Sequence, residues 1–253
     1  MQQATRTIAM VNQKGGVGKT TTTVNVGAGL SKRKYKVLLV DLDAQAHLTY
    51  SLGFQADELD VTIYDLLKED GSADEVMLER DGMQLLPSSI DLAAAELELA
   101  TEVGREALLK RELGELTGYD FILLDCPPNL GLLTLNALTA TREVFVPLQA
   151  EYLSIRGLQK LMEMVDKVKQ RVNTALEVTG LIATLYDQRL KLHNEVFDNL
   201  RTHFGAKLFD TYIRRNVSVA EATSYGQTIF EYAPRSHGAE DYTNLCQEII
   251  ARG

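Results

Sequence analysis

The chain has 253 residues, 26 of them basic and 35 acidic, for a net charge of −9; 45% are hydrophobic and 24% charged. This globular balance excludes a disordered chain and a small scaffold that needs disulfide or metal staples. The acidic excess excludes a protein coated in positive charge, yet stays compatible with a local basic patch.

Two cysteines, Cys126 and Cys246, cannot build a disulfide framework and lack metal-ligand spacing, as expected of reduced thiols. No apolar run approaches the roughly 20 residues of a membrane span. Met1–Arg6 leads into a strand pattern without signal-peptide character, so a cytoplasmic location is expected.

Five short apolar runs end in polar, Gly or Pro residues: Thr7–Val11, Val37–Val40, Phe121–Leu124, Val144–Leu148 and Val178–Leu185. Amphipathic stretches lie between or after them: Thr20–Arg33, Leu92–Leu116, Leu132–Ala140, Ile155–Val172, Leu192–Phe204 and Ala239–Ala251. Near-continuous apolar strands alternating with helices predict an α/β fold, a doubly wound, mostly parallel sheet with helices on both faces. The segment Gln55–Asp81 is acidic and less periodic, and is read as a surface insertion. No linker, repeat or low-complexity tract divides the chain, which predicts one domain over residues 1–253. The last helix pattern, Asp241–Arg252, carries Leu245, Ile249 and Ile250 and is not basic, so it reads as packed on the body rather than on a membrane.

In such sheets ligands bind beyond the carboxyl ends of the strands. The first strand ends in Asn12-Gln13-Lys14-Gly15-Gly16-Val17-Gly18-Lys19-Thr20, and a helix follows. The strict P-loop pattern fails only at Gln13, where its first glycine would stand. Glycines let backbone N–H groups approach phosphate oxygens, and the helix adds its N-terminal donors and positive dipole end. Lys19 supplies charge to the β- and γ-phosphates, Thr20 is placed to ligate Mg²⁺, and Thr21 to donate to the α-phosphate. This is the pattern of a nucleoside triphosphate site.

Two further strands deliver carboxylates: Val40-Asp41-Leu42-Asp43, and Phe121-Ile122-Leu123-Leu124-Asp125. Four apolar residues followed by Asp behind a P-loop is the Walker B layout, which aims Asp125 at the water shell of the metal. Asp43, further toward the loop, is the choice for orienting the attacking water. Asp41 is open between a catalytic role and a structural one, bonding the loop backbone or Lys19.

The order K-G-G-V-G-K-T, V-D-L-D-A-Q and L-L-D-C-P-P resembles the ParA/Soj family of deviant Walker A ATPases, and the likeness runs over nearly the whole chain. It includes Leu132–Leu138, Val146-Pro147-Leu148-Gln149-Ala150-Glu151-Tyr152 and Arg215-Asn216-Val217, and is nearest to the short chromosomal Soj type. The resemblance implies an ATP-dependent sandwich homodimer in which Lys14 reaches the phosphates of the partner subunit. It implies catalytic roles for Lys14, Lys19, Asp43 and Asp125, with Thr20 and, through water, Asp125 at Mg²⁺. ATP would be held by Lys14, Gly15, Gly16, Val17, Gly18, Lys19, Thr20 and Thr21, with Asn216 and Arg214 near adenine.

The family's ATP dimer binds DNA without sequence preference, a ParB-type partner or cargo adaptor stimulates hydrolysis, and the cycle positions a cargo on the nucleoid. The cargo is a chromosome, a plasmid or a protein assembly. Arg189 matches a DNA-binding arginine of the family, and Lys191, Arg214, Arg215 and Arg235 add charge that can share its face. Several positions depart from the family. Arg214 stands where proline is usual and Ser218 where an arginine is; Asp43-Ala44-Gln45-Ala46-His47 replaces D-P-Q-G-N; Gln227 replaces a lysine and Arg156 a glutamate. These changes leave the ATP chemistry intact and thin the basic patch.

Two other readings remain from the same superfamily. A MinD-like membrane-surface ATPase requires a basic amphipathic last helix, and a metabolic or electron-transfer ATPase requires cysteines placed to bridge a dimer. The four histidines, His47, His193, His203 and His237, form no ligand spacing and read as surface or helix positions. Tyr152, Tyr186 and Tyr225 read as packing residues. Asp57–Asp81 alone holds ten acidic residues against Lys68 and Arg80, so the rest of the chain is near neutral. DNA binding therefore depends on a localised patch, doubled by dimerisation.

Overall fold

The computed structural model describes residues 4–253, except for the side chains of 152–156, which include Tyr152 and Arg156. Its centre is a seven-stranded sheet in the order β3-β4-β2-β5-β1-β6-β7. The strands are β1 (Arg6–Met10), β2 (Val37–Asp41), β3 (Leu78–Arg80), β4 (Met83–Leu86), β5 (Phe121–Asp125), β6 (Glu143–Gln149) and β7 (Glu177–Thr184). All neighbours are parallel except β3 and β4.

Helices α1 (Lys19–Ser31) and α2 (His47–Ser51) follow β1 and β2, and α3 (Ile63–Leu67) and α4 (Ala73–Val76) precede β3. Next come α5 (Leu92–Glu98), α6 (Leu108–Glu115), α7 (Leu132–Ala140), α8 (Tyr152–Arg171) and α9 (Lys191–Phe204). The chain closes with α10 (Val217–Ser224), α11 (Ile229–Tyr232) and α12 (His237–Ala251).

Strand alternation divides the core in two. Ala9, Leu38, Val40, Ile122 and Leu124 face a cluster with Leu66, Leu109, Leu138 and Leu161. Ile8, Met10, Val37, Leu39 and Leu123 face a second with Val26, Leu30, Tyr242 and Leu245. Both faces are thus buried, which accounts for the near-continuous apolar strands. On the second face α1 lies close to α12, because a Cβ on Gly29 would come within 2.5 Å of Cys246 Sγ.

The expected doubly wound fold is present. The reading of Gln55–Asp81 as a surface insertion is corrected: Ile63, Leu66, Leu67 and Val76 are buried, and Leu78–Arg80 forms the antiparallel edge strand. Its helices are one turn long, too short to show a helical period, and reciprocal caps start them at Thr62 with Asp65 and at Ser72 with Glu75. The stretch Leu92–Leu116 is broken into α5 and α6 by two short 3₁₀ turns, with Gly104 between them at φ 74°. In α12, Tyr242, Leu245, Cys246 and Ile249 are buried against the body, as expected of a packed last helix. Among the described residues no helix is long and apolar enough to cross a membrane.

Candidate functional site

Strand order reverses at β1, which sits between β5 and β6, and the crevice lies where such a reversal predicts it. A cleft of about 630 Å³ opens at the carboxyl ends of β1, β2 and β5. Gly15, Gly16, Gly18, Lys19, Thr20 and Thr21 line one wall; Asp43 and Gln45 come from the loop after β2, His47 from the start of α2, Pro127, Pro128 and Asn129 from the loop after β5, and Glu96 from α5.

The loop has the shape its glycines allow. Gly16 (φ 71°) and Gly18 (φ 84°) are left-handed, a conformation that side chains resist. Gly18 caps α1, with its carbonyl accepting from Thr22 N at 2.9 Å. The first turn of α1 therefore opens onto the cleft, with Lys19 buried and Thr20 half-buried. Thr20 Oγ1 donates to Asp125 Oδ2 at 2.6 Å. Burial, then the neighbouring Asp41 charge, pushes the Asp125 carboxyl up to about 8, against the Thr20 bond and the Lys19 charge.

Asp43 lines the cleft and its Oδ1 accepts from Gln45 N at 3.0 Å, which fixes the turn beyond β2. Asp41 resolves toward structure. It is buried, and its carboxylate accepts from Asp43 N (3.2 Å), Thr49 N (3.0 Å) and Thr49 Oγ1 (2.8 Å), so it holds the Asp43 turn and α2. These partners replace the loop backbone and Lys19 suggested by the sequence. Burial pushes its carboxyl up to about 7.

Lys14 is placed differently from Lys19. It is absent from the cleft lining, and its half-exposed ammonium rests on Glu151 Oε2 (2.6 Å) and Gln149 Oε1 (3.2 Å) at the end of β6. Val17 is buried under the loop. Arg214 and Asn216 lie outside the cleft lining. Where the family has proline, Arg214 N donates to Asp241 Oδ2 at 2.9 Å and its guanidinium is held by Asp241 and Glu240. Asn216 Oδ1 caps α10 by accepting from Ser218 N.

The candidate DNA residues are at the surface. Arg189 is 88% exposed and forks onto its own Asp187 at 2.9 and 2.7 Å, a pairing that holds the Asp187 carboxyl well below the usual range. Lys191 is 91% exposed and within 3.5 Å of Glu195. Arg215 and Arg235 are exposed. His193 Nδ1 accepts from Asp187 N and so supports the Arg189 loop. Tyr186 packs on Tyr212 at 4.5 Å, and Tyr225 stacks on Tyr232.

Sequence reasoning missed Thr49, Gln149 and Thr184. Thr184 Oγ1 donates to Val17 O at 2.7 Å, and Gln149 Nε2 to Gly16 O at 3.0 Å. Their signal was position: both end strands of a parallel sheet, where ligand-facing residues collect. The cysteines are both buried, Cys126 beside Asp125 and Cys246 against α1, so neither is placed to bridge two subunits.

Residues 5–178 match the family model described as an AAA domain. The chromosome-partitioning ATPase Soj of Treponema pallidum is 46% identical over 250 residues, covering 98% of each chain. The sporulation initiation inhibitor protein Soj of Bacillus subtilis is 43% identical over 249 residues, 97% of this chain and 98% of the other. A solved structure of cobyrinic acid a,c-diamide synthase from Mycobacterium smegmatis, with bound ATP analog and magnesium, superposes with a TM-score of 0.88 at 38% identity, covering 98% of this chain and 94% of that one. With these matches running nearly end to end, the loop and Asp43 lining one cleft, and Asp125 bonded behind it to Thr20, the chain belongs to the ParA/Soj family of ATPases.

Proposed function

We propose that this chain, as one ParA-type domain over residues 1–253, is an ATP-dependent dimerising switch that binds DNA without sequence preference and positions a cargo through a ParB-type partner or cargo adaptor. The observation that carries the reading is Lys14. Its ammonium lies outside its own cleft on a half-exposed carboxylate, where a second subunit can recruit it. A second cation between two facing triphosphates offsets their repulsion and stabilises charge developing in the transition state.

Within one cleft, Gly15–Thr21 hold the phosphates and Lys19 neutralises the β- and γ-oxygens. Asp43 orients water for in-line attack on the γ-phosphorus; the bond to the β–γ bridging oxygen breaks, leaving ADP and phosphate. Thr20 Oγ1 and Asp125 are hard oxygen donors, a set that fits Mg²⁺, which takes few protein ligands beside phosphate oxygens and water. When bound, the ion supplies charge neutralisation at the phosphates.

DNA contact rests on Arg189 and Lys191, joined by Arg215 and Arg235, as phosphate-facing cations that read no bases. One subunit supplies few of them, so two subunits together hold DNA better than one. The names of the full-length relatives support partitioning; their identity exceeds that to the synthase. On this reading the protein works in the cytoplasm, on the nucleoid. The membrane-surface reading has no free apolar face on α12 to use.

Light scattering on wild type and Lys14→Ala with ATP or ADP tests the reading. A dimer with ATP alone, lost in Lys14→Ala, is expected. A wild type that stays monomeric with ATP, or a variant that dimerises equally well, overturns it.

A further inference from the structure

The glycines that let the nucleotide loop turn also leave its peptide planes free to flip, so something outside the loop has to hold them. Gln149 and Thr184 are register partners at the ends of β6 and β7. They grip consecutive loop carbonyls: Gln149 Nε2 donates to Gly16 O at 3.0 Å, and Thr184 Oγ1 to Val17 O at 2.7 Å. A planar trans peptide points its C=O and N–H in opposite directions. Drawing the Gly16 carbonyl toward β6 therefore turns the Val17 N–H away from β6, and the Thr184 bond does the same for the Gly18 N–H.

The Gln149 amide is used at both ends, because its Oε1 accepts from Lys14 Nζ at 3.2 Å. The loop is tied once more from its start, with Asn12 Nδ2 donating to Pro147 O at 2.8 Å and Asn12 Oδ1 accepting from Lys14 N at 3.0 Å. Thr184 is buried, whereas Gln149 is half-exposed and can be changed without opening the core.

We propose that Gln149 is a positioning residue of the ATP site, whose amide fixes the Gly16–Val17 peptide so that its N–H is set for phosphate before nucleotide arrives. The proposal rests on the reading of Gly15–Thr21 as the phosphate cradle. A preorganised donor costs no reordering on binding, so the effect belongs to affinity. Glutamate at this position keeps the shape and the acceptor for Lys14 but replaces the donor with an oxygen facing the Gly16 carbonyl.

Titration of ADP, with ATP turnover in parallel, compares wild type, Gln149→Glu, Gln149→Met and Lys19→Ala. ADP affinity is expected to fall about tenfold in both Gln149 variants, the cost of ordering the freed peptide on binding, with KM for ATP rising more than kcat falls. Thermal unfolding of the nucleotide-free variants should match wild type, which a merely structural role would not allow. Gln149 variants that bind ADP like wild type, while Lys19→Ala loses it, overturn the positioning role alone. Lys19→Ala that binds like wild type overturns the cradle itself. Should Gln149→Glu fail to fold, Gln149→Met decides by the same comparison.

Discussion

Asp41 and Asp125 are register partners at the ends of neighbouring strands β2 and β5, and both carboxyls are buried. Burial dominates both, pushing Asp41 up to about 7 and Asp125 up to about 8, and the charge of Asp41 adds to the rise at Asp125. The folded chain therefore holds protons that an unfolded chain releases near pH 4. Stability from these groups is present at low pH and is lost as pH rises through about 7 to 8, because the folded state binds more protons there. Carboxylates held low by their partners, such as Asp187 and Glu240, act in the opposite sense only at more acidic pH. The melting temperature of the nucleotide-free protein should thus fall between pH 5.5 and 8.5, a window that brackets about 7 to 8. Asp41→Asn should flatten that slope; an equal or rising slope contradicts the account.

Asp43→Ala removes the carboxylate that faces the cleft without touching the loop. Turnover should fall on the order of 100-fold, with ATP still bound and the dimer persisting. Steady-state hydrolysis and light scattering check both halves, and fast turnover by the variant refutes the role of Asp43.

On the proposed DNA face, Asp187 grips Arg189 in a fork and would compete with phosphate for it. Arg189→Glu should weaken DNA binding by about tenfold or more and leave ATP-driven dimerisation unchanged, while Asp187→Asn should strengthen it modestly. Fluorescence anisotropy with random-sequence duplex reads both. DNA affinity unmoved by Arg189→Glu excludes this patch.

Gly29→Val tests the close approach of α1 to α12. A Cβ there meets Cys246 Sγ at 2.5 Å and Phe230 at 3.3 Å. Overpacking of about 1–3 kcal/mol is expected, seen as a lowered melting temperature with nucleotide binding retained. A variant as stable as wild type means that this contact yields easily.

The nucleotide loop was legible because its parts are contiguous: glycines, Lys19 and Thr20 stand side by side, and two strands each end in Asp. Five of the strands were legible as apolar runs, since burial on both faces leaves no polar alternation. Strands β3 and β4 were not, being three and four residues long beside a dense acidic stretch. The residues that hold the site in shape were hidden for another reason. Thr49 reaches Asp41 across a turn, and Gln149 and Thr184 reach the loop from more than a hundred residues away. Sheet register sets Gln149 beside Thr184, and no local spacing announces it. The change of Asp41 from an open choice to a structural carboxylate came from its donors, Asp43 N on the turn beyond it and Thr49 N and Oγ1 on α2.

The central claim, a DNA-binding surface completed by the ATP dimer, is tested most directly by measuring affinity for random-sequence duplex DNA with ATP and with ADP across a salt series. The account predicts binding with ATP that weakens steeply as salt rises, log affinity falling linearly with log salt, and far weaker binding with ADP. Equal affinity in both nucleotides, or no binding at the lowest salt by a protein that dimerises with ATP, would contradict it.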